Sequence, residues 1–129
     1  MPVKVRELFE KLDERQKKTV MRCVERCGIP ELEADIEPAV DEDVVRFLKV
    51  LSNPLRLAIL KLLRDKWLCV CLISEALEQD QTLISHHLRT LKSMDLIEER
   101  KEGRMRFYRA KTDVLEEYLA KVRGELLGE

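Results

Sequence analysis

The sequence predicts a mainly α (α+β) fold in which short helices precede a two-stranded β-hairpin and a last helix. Apolar residues recur at the helical spacing of about 3.6 residues through residues 44–94. The period then changes to two in residues 97–101 and 105–109, on either side of the tripeptide Glu102-Gly103-Arg104. A final apolar stripe with helical spacing covers residues 114–126. Two short helices joined by a tight turn and followed by a hairpin form a winged helix-turn-helix.

The composition fits one compact domain preceded by an extension of uneven charge. The chain has 129 residues, of which 45% are hydrophobic and 38% are charged, with a net charge of -1. Residues 1–27 carry eight basic and five acidic side chains, whereas residues 28–43 carry seven acids, two prolines and no base. Like charges and prolines favour an exposed linker. We therefore predict an N-terminal helical extension and acidic linker over residues 1–43, and a winged helix-turn-helix domain over residues 44–127.

Several classes of protein are excluded by the same patterns. The longest apolar run, Trp67–Ile73, has seven residues, whereas a helix that spans a bilayer needs roughly 20. The N-terminus alternates charges and has no apolar core of a signal peptide. We therefore expect a cytoplasmic protein with no membrane partner. The sequence has no glycine-rich phosphate loop, no plausible Ser/His/Asp set and no His-based zinc site, so we expect no catalytic residues and no enzyme.

Residues 1–27 predict an amphipathic helix that is broken into two. Its apolar residues have helical spacings, but these are interrupted around Arg15–Lys18. Gly28 and Pro30 then provide a stop signal.

Four short helices are expected before the hairpin. Asn53 can cap the second of them, with Pro54 near its first position, and Thr82 can cap the fourth. A last helix follows the hairpin. Its apolar stripe and that of the first helix would be exposed on a monomer, so we expect the last helix, alone or with the first, to build a dimer. The four short helices are predicted over residues 44–51, 55–63, 73–77 and 83–94.

The fourth helix and the hairpin offer groups that suit DNA. The second helix of such a pair enters the major groove, where polar side chains can bind base edges or phosphates. Residues 100–111 hold six basic side chains against one acid, which suits a phosphate backbone or a narrow minor groove. The alternative is a solvated hairpin whose charges only prevent edge pairing. The candidate DNA-binding residues are Gln81, Thr82, Ser85, His86, Arg89, Lys101, Arg104 and Arg106.

The two histidines are adjacent, so their side chains point about 100° apart on a helix. We expect His86 to face DNA and His87 to pack inward as a hydrogen-bonded structural residue. Because no other histidine exists, a histidine metal site is not expected.

Four motifs follow one another along the chain: Ser52–Leu60 (SNPLRLAIL), Leu68–Cys71 (LCVC), Ser85–Leu91 (SHHLRTL) and Gly103-Arg104 with Tyr108. In this order they resemble the ArsR/SmtB family of dimeric winged-helix repressors of prokaryotes, which leave operator DNA when they bind an effector. The resemblance covers about residues 44–127. It implies double-stranded operator DNA and a second copy of the chain as partners.

The sequence departs from the family pattern at several positions. Trp67 and Leu72 replace the two acids that often flank the Cys-x-Cys motif. Asp95 stands where glycine is common before the hairpin, and Asp tolerates the left-handed conformation better than most residues. A second effector site of the family uses Asp and His on the last helix, and Thr112-Asp113-Val114 with no His implies that this site is absent.

The cysteines occur as two pairs. Cys23 and Cys27 are four residues apart and share one helix face. Cys69 and Cys71 would lie about 200° apart on a regular helix, so they can share an ion only in an extended segment or at a helix start. Thiolates select soft ions such as Zn, Cd, Pb or As(III). The candidate metal ligands are therefore Cys23, Cys27, Cys69 and Cys71.

The cysteine pattern is similar to that of the cadmium/lead-responsive branch of the family. That resemblance implies that N-terminal cysteines of one subunit complete a site with the Cys-x-Cys of the other. The arsenic-responsive branch uses a Cys-x-Cys with a third thiol, and the sequence fits either branch. Whether Cys23 and Cys27 serve their own subunit or the neighbour stays open.

The leading hypothesis is a sequence-specific transcriptional repressor that leaves operator DNA when its thiolates bind a soft metal or metalloid ion. Such an ion would shift the helix that carries Cys69 and Cys71, which directly precedes the recognition helix. The alternatives are a thiol–disulfide redox regulator of the same fold, cysteines that only pack, and a winged-helix protein-interaction module.

Overall fold

Two units make up the computed structural model, which describes residues 1–129: Met1–Val40 and Asp41–Glu129. The first unit contains β1 (Val3–Lys4), α1 (Val5–Phe9), α2 (Glu14–Cys27) and β2 (Asp35–Ile36). The second unit contains α3 (Glu42–Leu51), α4 (Pro54–Leu62), β3 (Leu68–Cys69), α5 (Val70–Leu77), α6 (Gln81–Ser93), β4 (Ile97–Glu102), β5 (Met105–Ala110) and α7 (Thr112–Leu127). None of these helices combines the length and the apolar character that crossing a membrane requires.

A short strand pair holds the first unit together. β1 and β2 are antiparallel, and Lys4 pairs with Asp35 both in the strand register and through an ion pair of 3.3 Å. The Arg6 guanidinium forms a further ion pair with the Glu33 carboxylate. The acidic segment predicted as a solvated linker therefore folds back along the N-terminus, because its carboxylates meet cations there.

The break between the two N-terminal helices lies earlier than the sequence predicted. Arg15–Lys18 is helical, and the interruption falls between the end of α1 and Asp13. Asp13 caps α2: its carboxylate accepts from the Gln16 amide at 2.8 Å, and the Gln16 side chain accepts from the Asp13 amide at 3.1 Å. The predicted stop at Gly28 is confirmed, with φ of 77°.

The core of the second unit joins α3 to α6 with the hairpin and α7. Its fully buried large side chains are Phe47, Ile59, Leu63, Ile73, Ile84, Leu91, Leu96 and Ile97. Phe47 also stacks on Tyr118 of α7 with 4.7 Å between ring centroids. α6 therefore buries one face completely, which fixes its orientation and leaves the opposite face free.

Side-chain caps set the helix starts of the second unit. Asn53 accepts hydrogen bonds from the amides of Leu55 and Arg56, and Pro54 is the first residue of α4, as predicted. α3 starts at Glu42, two residues earlier than expected, because Asp41 accepts from the Asp43 amide at 2.8 Å.

The predicted cap of α6 is wrong. Asp80, not Thr82, is the N-cap, and its carboxylate accepts from the Thr82 amide at 2.8 Å. Gln81 and Thr82 are consequently in the first turn of the helix. α5 also begins earlier than predicted, at Val70 instead of residue 73, with Cys69 as its N-cap.

The hairpin prediction is confirmed. β4 and β5 pair from Ile97↔Ala110 to Glu102↔Met105, and Gly103 takes φ of 61° in the two-residue turn between them. Asp95 has φ of 60°, the left-handed conformation expected of it. β3 adds a third antiparallel strand against β5, which the sequence did not predict. The fold is a winged helix-turn-helix, in which the wing comprises β4, the Gly103-Arg104 turn and β5.

Candidate DNA-binding surface and thiol pair

The polar face of α6 is accessible at its N-terminal end. Gln81, Thr82, His86 and Arg89 are exposed and Ser85 is half-buried. All five border one open cavity on the surface of the unit. The partial positive charge of a helix N-terminus favours phosphate at this end of α6, and the side chains offer donors and acceptors to base edges. The structure thus brings together the five residues of α6 singled out from the sequence.

The inward face of α6 holds His87, as predicted. Its side chain is buried, and its Nδ1 lies 3.5 Å from Nη1 of Arg56, whose Nε donates to the Val50 carbonyl at 2.8 Å. Burial lowers the pKa of His87, and the positive charge of Arg56 lowers it further. The neutral ring can therefore accept a hydrogen bond from Arg56, which connects α6 with α4.

Most cations of the wing are already paired, which the sequence count did not reveal. Four basic side chains of residues 100–111 contact carboxylates, at 2.7 Å for Arg100–Glu102, 3.0 Å for Arg106–Glu99, 2.8 Å for Arg109–Glu98 and 2.9 Å for Lys111–Asp95. Three of these acids, Glu99, Glu98 and Asp95, precede residues 100–111, for which the sequence analysis counted the charges. Lys101 and Arg104 are exposed and have no ion pair, so the free charge of the wing is concentrated at its tip.

Glu99 is a functional candidate that the sequence reasoning missed. Its carboxylate, 18% exposed, accepts from Lys92 at 2.5 Å, from Arg106 at 3.0 Å and from the Tyr108 hydroxyl at 3.1 Å. The hydrogen bond from Lys92 lowers the pKa of Glu99 most, with Arg106 and Tyr108 adding to it. Lys92 is in the last turn of α6, the helix expected to enter the major groove and called the recognition helix below. The cluster therefore connects α6 with both strands of the wing. The strand register, Glu99↔Tyr108, was the signal that could have identified it.

Cys69 and Cys71 meet at the start of α5. Cys69 ends β3 as a buried residue and Cys71 is exposed in the first helical turn, with 3.2 Å between their Sγ atoms. This is the helix-start arrangement that the sequence required for two thiols to share an ion. Burial raises the pKa of Cys69, but hydrogen bonds from the Leu72 amide and the Cys71 thiol outweigh it and leave that pKa below its ordinary value. The hydrogen bond with Cys69 raises the pKa of Cys71.

The thiol pair is connected to the wing through the backbone. Cys69 pairs with Phe107 and Leu68 pairs with Tyr108 in the β3–β5 ladder. Tyr108 in turn donates to Glu99, so a displacement of Cys69 acts on the same strand that carries the Glu99 cluster. Trp67, which replaces an acid of the family pattern, lies under the Arg109 guanidinium with 4.6 Å to the ring centroid.

The other two cysteines lie on the first unit. Cys23 and Cys27 are exposed on α2, and the Cys27 thiol donates to the Cys23 carbonyl at 3.2 Å. All four cysteines are free thiols. No group of three or more His, Cys, Asp or Glu side chains in this chain is arranged to hold a metal ion. The metal-ligand role of the four cysteines stays a prediction.

Comparisons with known proteins agree with this geometry. The family model described as "Bacterial regulatory protein, arsR family" matches residues 53–99, from the cap of α4 to Glu99. The HTH-type transcriptional regulator MJ1325 of Methanocaldococcus jannaschii is 39% identical over 79 residues, which are 60% of this chain and 89% of that protein. The arsenical resistance operon repressor of Staphylococcus xylosus is 36% identical over 58% of this chain and 72% of its own length. The cadmium resistance transcriptional regulatory protein CadC homolog of Staphylococcus aureus is 37% identical, and the match covers 51% of this chain and 55% of that protein.

Solved structures show the same fold. Reduced HlyU from Vibrio cholerae superposes with a TM-score of 0.54 at 35% identity, over 64% of this chain and 87% of that one. The homodimeric winged helix-turn-helix DNA-binding domain Mb0332 from Mycobacterium bovis superposes with a TM-score of 0.55 at 33% identity, over 70% and 94%. The helix order, the wing and these relatives together establish that the chain belongs to the ArsR family of DNA-binding transcriptional regulators and is not an enzyme.

Proposed function

We propose that this protein is a homodimeric, cytoplasmic repressor that binds double-stranded operator DNA and leaves it when cysteine thiolates bind a soft metal or metalloid ion. The observation that carries the proposal is the 3.2 Å approach of the Cys69 and Cys71 sulfur atoms at the start of α5. Cd, Pb, Zn and As(III) are the effector candidates, because each accepts thiolate ligands. Relatives named for arsenical and cadmium resistance support this choice.

DNA is read by α6 and held by the wing. The first turns of α6 enter the major groove, where Gln81, Thr82, Ser85, His86 and Arg89 contact base edges and phosphates. Lys101 and Arg104 bind the phosphate backbone beside it, because their charges have no partner within the protein. Arg106 contributes less than these two residues, because its charge is paired with Glu99.

Dimerisation uses the apolar side chains that the second unit leaves exposed. Leu119 of α7 is 50% exposed, and Val45 and Leu48 of α3 are 37% and 46% exposed. The homodimeric state of the Mb0332 domain supports this arrangement. A two-fold dimer places two recognition helices about 34 Å apart, in successive major grooves, and therefore calls for an inverted-repeat operator.

Effector binding is coupled to DNA through β3. An ion that binds Cys69 and Cys71 changes the start of α5 and, through Cys69, the β3–β5 ladder. β5 also contains Arg106 and Tyr108, which donate hydrogen bonds to Glu99. The cluster at Glu99 passes the change to α6. The ion releases DNA only if the conformation it favours has the lower DNA affinity. Cys23 and Cys27 supply the remaining thiolates, from the same or the partner subunit.

A DNA-binding assay tests the proposal. A duplex is selected from a random library with the reduced protein, and its affinity is measured by fluorescence anisotropy with and without Cd(II). We expect an inverted repeat that the wild type binds tightly and releases with Cd(II). Cys69→Ser should keep the affinity and lose the response. A full Cd(II) response in Cys69→Ser, or the absence of any selected sequence, would contradict the proposal.

The same sulfur distance favours a second candidate, a thiol–disulfide switch. Oxidation would join the two sulfur atoms with loss of two electrons and two protons to an added oxidant such as diamide. In that case diamide releases the duplex without any metal, dithiothreitol restores binding, and Cd(II) has no effect on the DNA-bound fraction.

A further inference from the structure

α2 carries four cations along one face. Arg15, Lys18, Arg22 and Arg26 are spaced by three, four and four residues, and this spacing aligns them on a helix. We call these four residues the cationic stripe. All four are exposed, and none of them has a carboxylate partner. Lys17, which lies off this line, contacts Glu10 and Glu14 at 3.8 Å.

The acids that follow α2 in the sequence form no ion pair with the stripe. Three carboxylates of the acidic segment after α2 contact the N-terminus: Glu33 contacts Arg6, Asp35 contacts Lys4 and Glu37 contacts the terminal amine. The seven acids of residues 28–43 were available in the sequence. None of these acids forms an ion pair with the stripe, so its four side chains are free to contact a partner outside the chain.

We propose that the cationic stripe of α2 binds backbone phosphates of duplex DNA, as a sequence-independent contact in addition to those of α6 and the wing. This inference rests on the proposed DNA-binding function. From Arg15 to Arg26 the stripe is about 16 Å long, at about 1.5 Å per residue. Duplex DNA presents one negative charge per about 1.7 Å of its axis, so several phosphates lie within reach of this length.

The rest of α2 favours DNA over a membrane surface as the polyanion. A helix that lies on a membrane needs an accessible apolar face that can enter the lipid. The apolar side of α2, formed by Val20, Met21 and Val24, is half-buried. The stripe also shares its chain with a DNA-reading unit, so DNA bound at α6 raises the effective concentration of phosphates around α2.

A four-residue neutralisation tests the inference. The variant Arg15→Gln/Lys18→Gln/Arg22→Gln/Arg26→Gln removes the stripe, and Gln keeps the helix propensity close to that of Lys and Arg. The matched control Lys49→Gln/Lys61→Gln/Lys66→Gln/Lys121→Gln removes four exposed cations of the second unit outside α6 and the wing, for an identical change in net charge. Circular dichroism checks that both variants remain folded.

The readout is the salt dependence of DNA binding by the full, reduced chain. Affinities for the selected duplex and for a scrambled duplex of equal length are measured at several salt concentrations. We expect the stripe variant to lower the slope of log K against log salt by roughly 2 or more, since each neutralised phosphate accounts for about 0.9 of that slope. Both duplexes should lose affinity by the same factor, because phosphate binding carries no sequence information.

The outcomes separate this inference from the proposed function. An unchanged slope in the stripe variant, or an equal change in the control, overturns the inference alone, provided that the wild type still prefers the selected duplex. A decrease in affinity confined to the selected duplex also overturns it, because the stripe would then read sequence. A wild type that prefers no duplex overturns the proposed function and the inference with it.

Discussion

Glu99 and Arg106 face each other on adjacent wing strands, with 3.0 Å between the carboxylate and the guanidinium. The same carboxylate accepts a hydrogen bond from Lys92 in the last turn of α6. The Glu99 carboxylate is largely shielded from water. An ion pair in such surroundings contributes more than one at the open surface, since solvent screens it less. Through Lys92, the Glu99 carboxylate therefore connects α6, the recognition helix, with the wing.

Replacing Glu99 should destabilise the second unit. In Glu99→Gln three donors are left without their charged acceptor, and we expect a decrease of roughly 1–3 kcal/mol in the free energy of unfolding, measured with urea. Glu102→Gln is the control, because its exposed pair with Arg100 should be worth less than about 1 kcal/mol. Equal effects of the two substitutions would show that the Glu99 cluster does not hold the wing.

The tip of the wing should matter more for DNA than its middle. Lys101→Ala/Arg104→Ala removes two charges that have no partner in the protein, whereas Arg106→Ala removes one that is paired with Glu99. We expect the double variant to reduce the salt slope by about 0.9 for each phosphate that the tip no longer binds, and Arg106→Ala to reduce it by less. A larger effect of Arg106→Ala would mean that its pair with Glu99 opens on DNA.

His87 predicts a pH dependence of stability. Its pKa is lowered in the folded protein, so the unfolded chain binds more protons near pH 6.5 and folding is favoured above that pH. The free energy of unfolding should fall between pH 7.5 and pH 5.5 in the wild type. His87→Gln should flatten this dependence, whereas His86→Gln, at an exposed position, should keep it. The same dependence in all three proteins would rule out His87 as its source.

The exposed apolar face of α7 predicts a dimer that one charge can disrupt. Leu119→Glu should shift the protein towards monomer in sedimentation velocity, because a buried unpaired carboxylate is costly. Ala76→Glu, at an exposed site on α5, is the control and should leave the mass unchanged. A dimeric Leu119→Glu protein would place the interface elsewhere.

The wing and several helix ends could be predicted because short-range signals determine them. Gly103 fixed the two-residue turn and Asn53-Pro54 fixed the start of α4, each through a preference for one backbone conformation. The cap of α6 was missed because Asp80 and Thr82 are both good caps, and the sequence does not reveal which one takes the extended conformation.

The charges of the wing were misjudged for a different reason. A count of cations within residues 100–111 ignores partners across the strands, and the pairing of Arg109 with Glu98 follows only from the register. The ladder pairs Cys69 with Phe107, which is far away in the sequence, and no local pattern signals this pairing. The approach of Cys69 to Cys71, by contrast, follows from a local feature. The sequence predicts that the two thiols can meet if a helix begins at this point, and α5 begins there.

In the proposed function, ion binding at Cys69 and Cys71 and release of DNA are one event. The reduced protein, bound to its labelled selected duplex, is titrated anaerobically with Cd(II) while thiolate charge-transfer absorption and anisotropy are recorded together. We expect both signals to change in step and to saturate at one ion per subunit. Cys23→Ser/Cys27→Ser should weaken the absorption. Absorption that saturates while the duplex stays bound, or release without thiolate absorption, would contradict the claim.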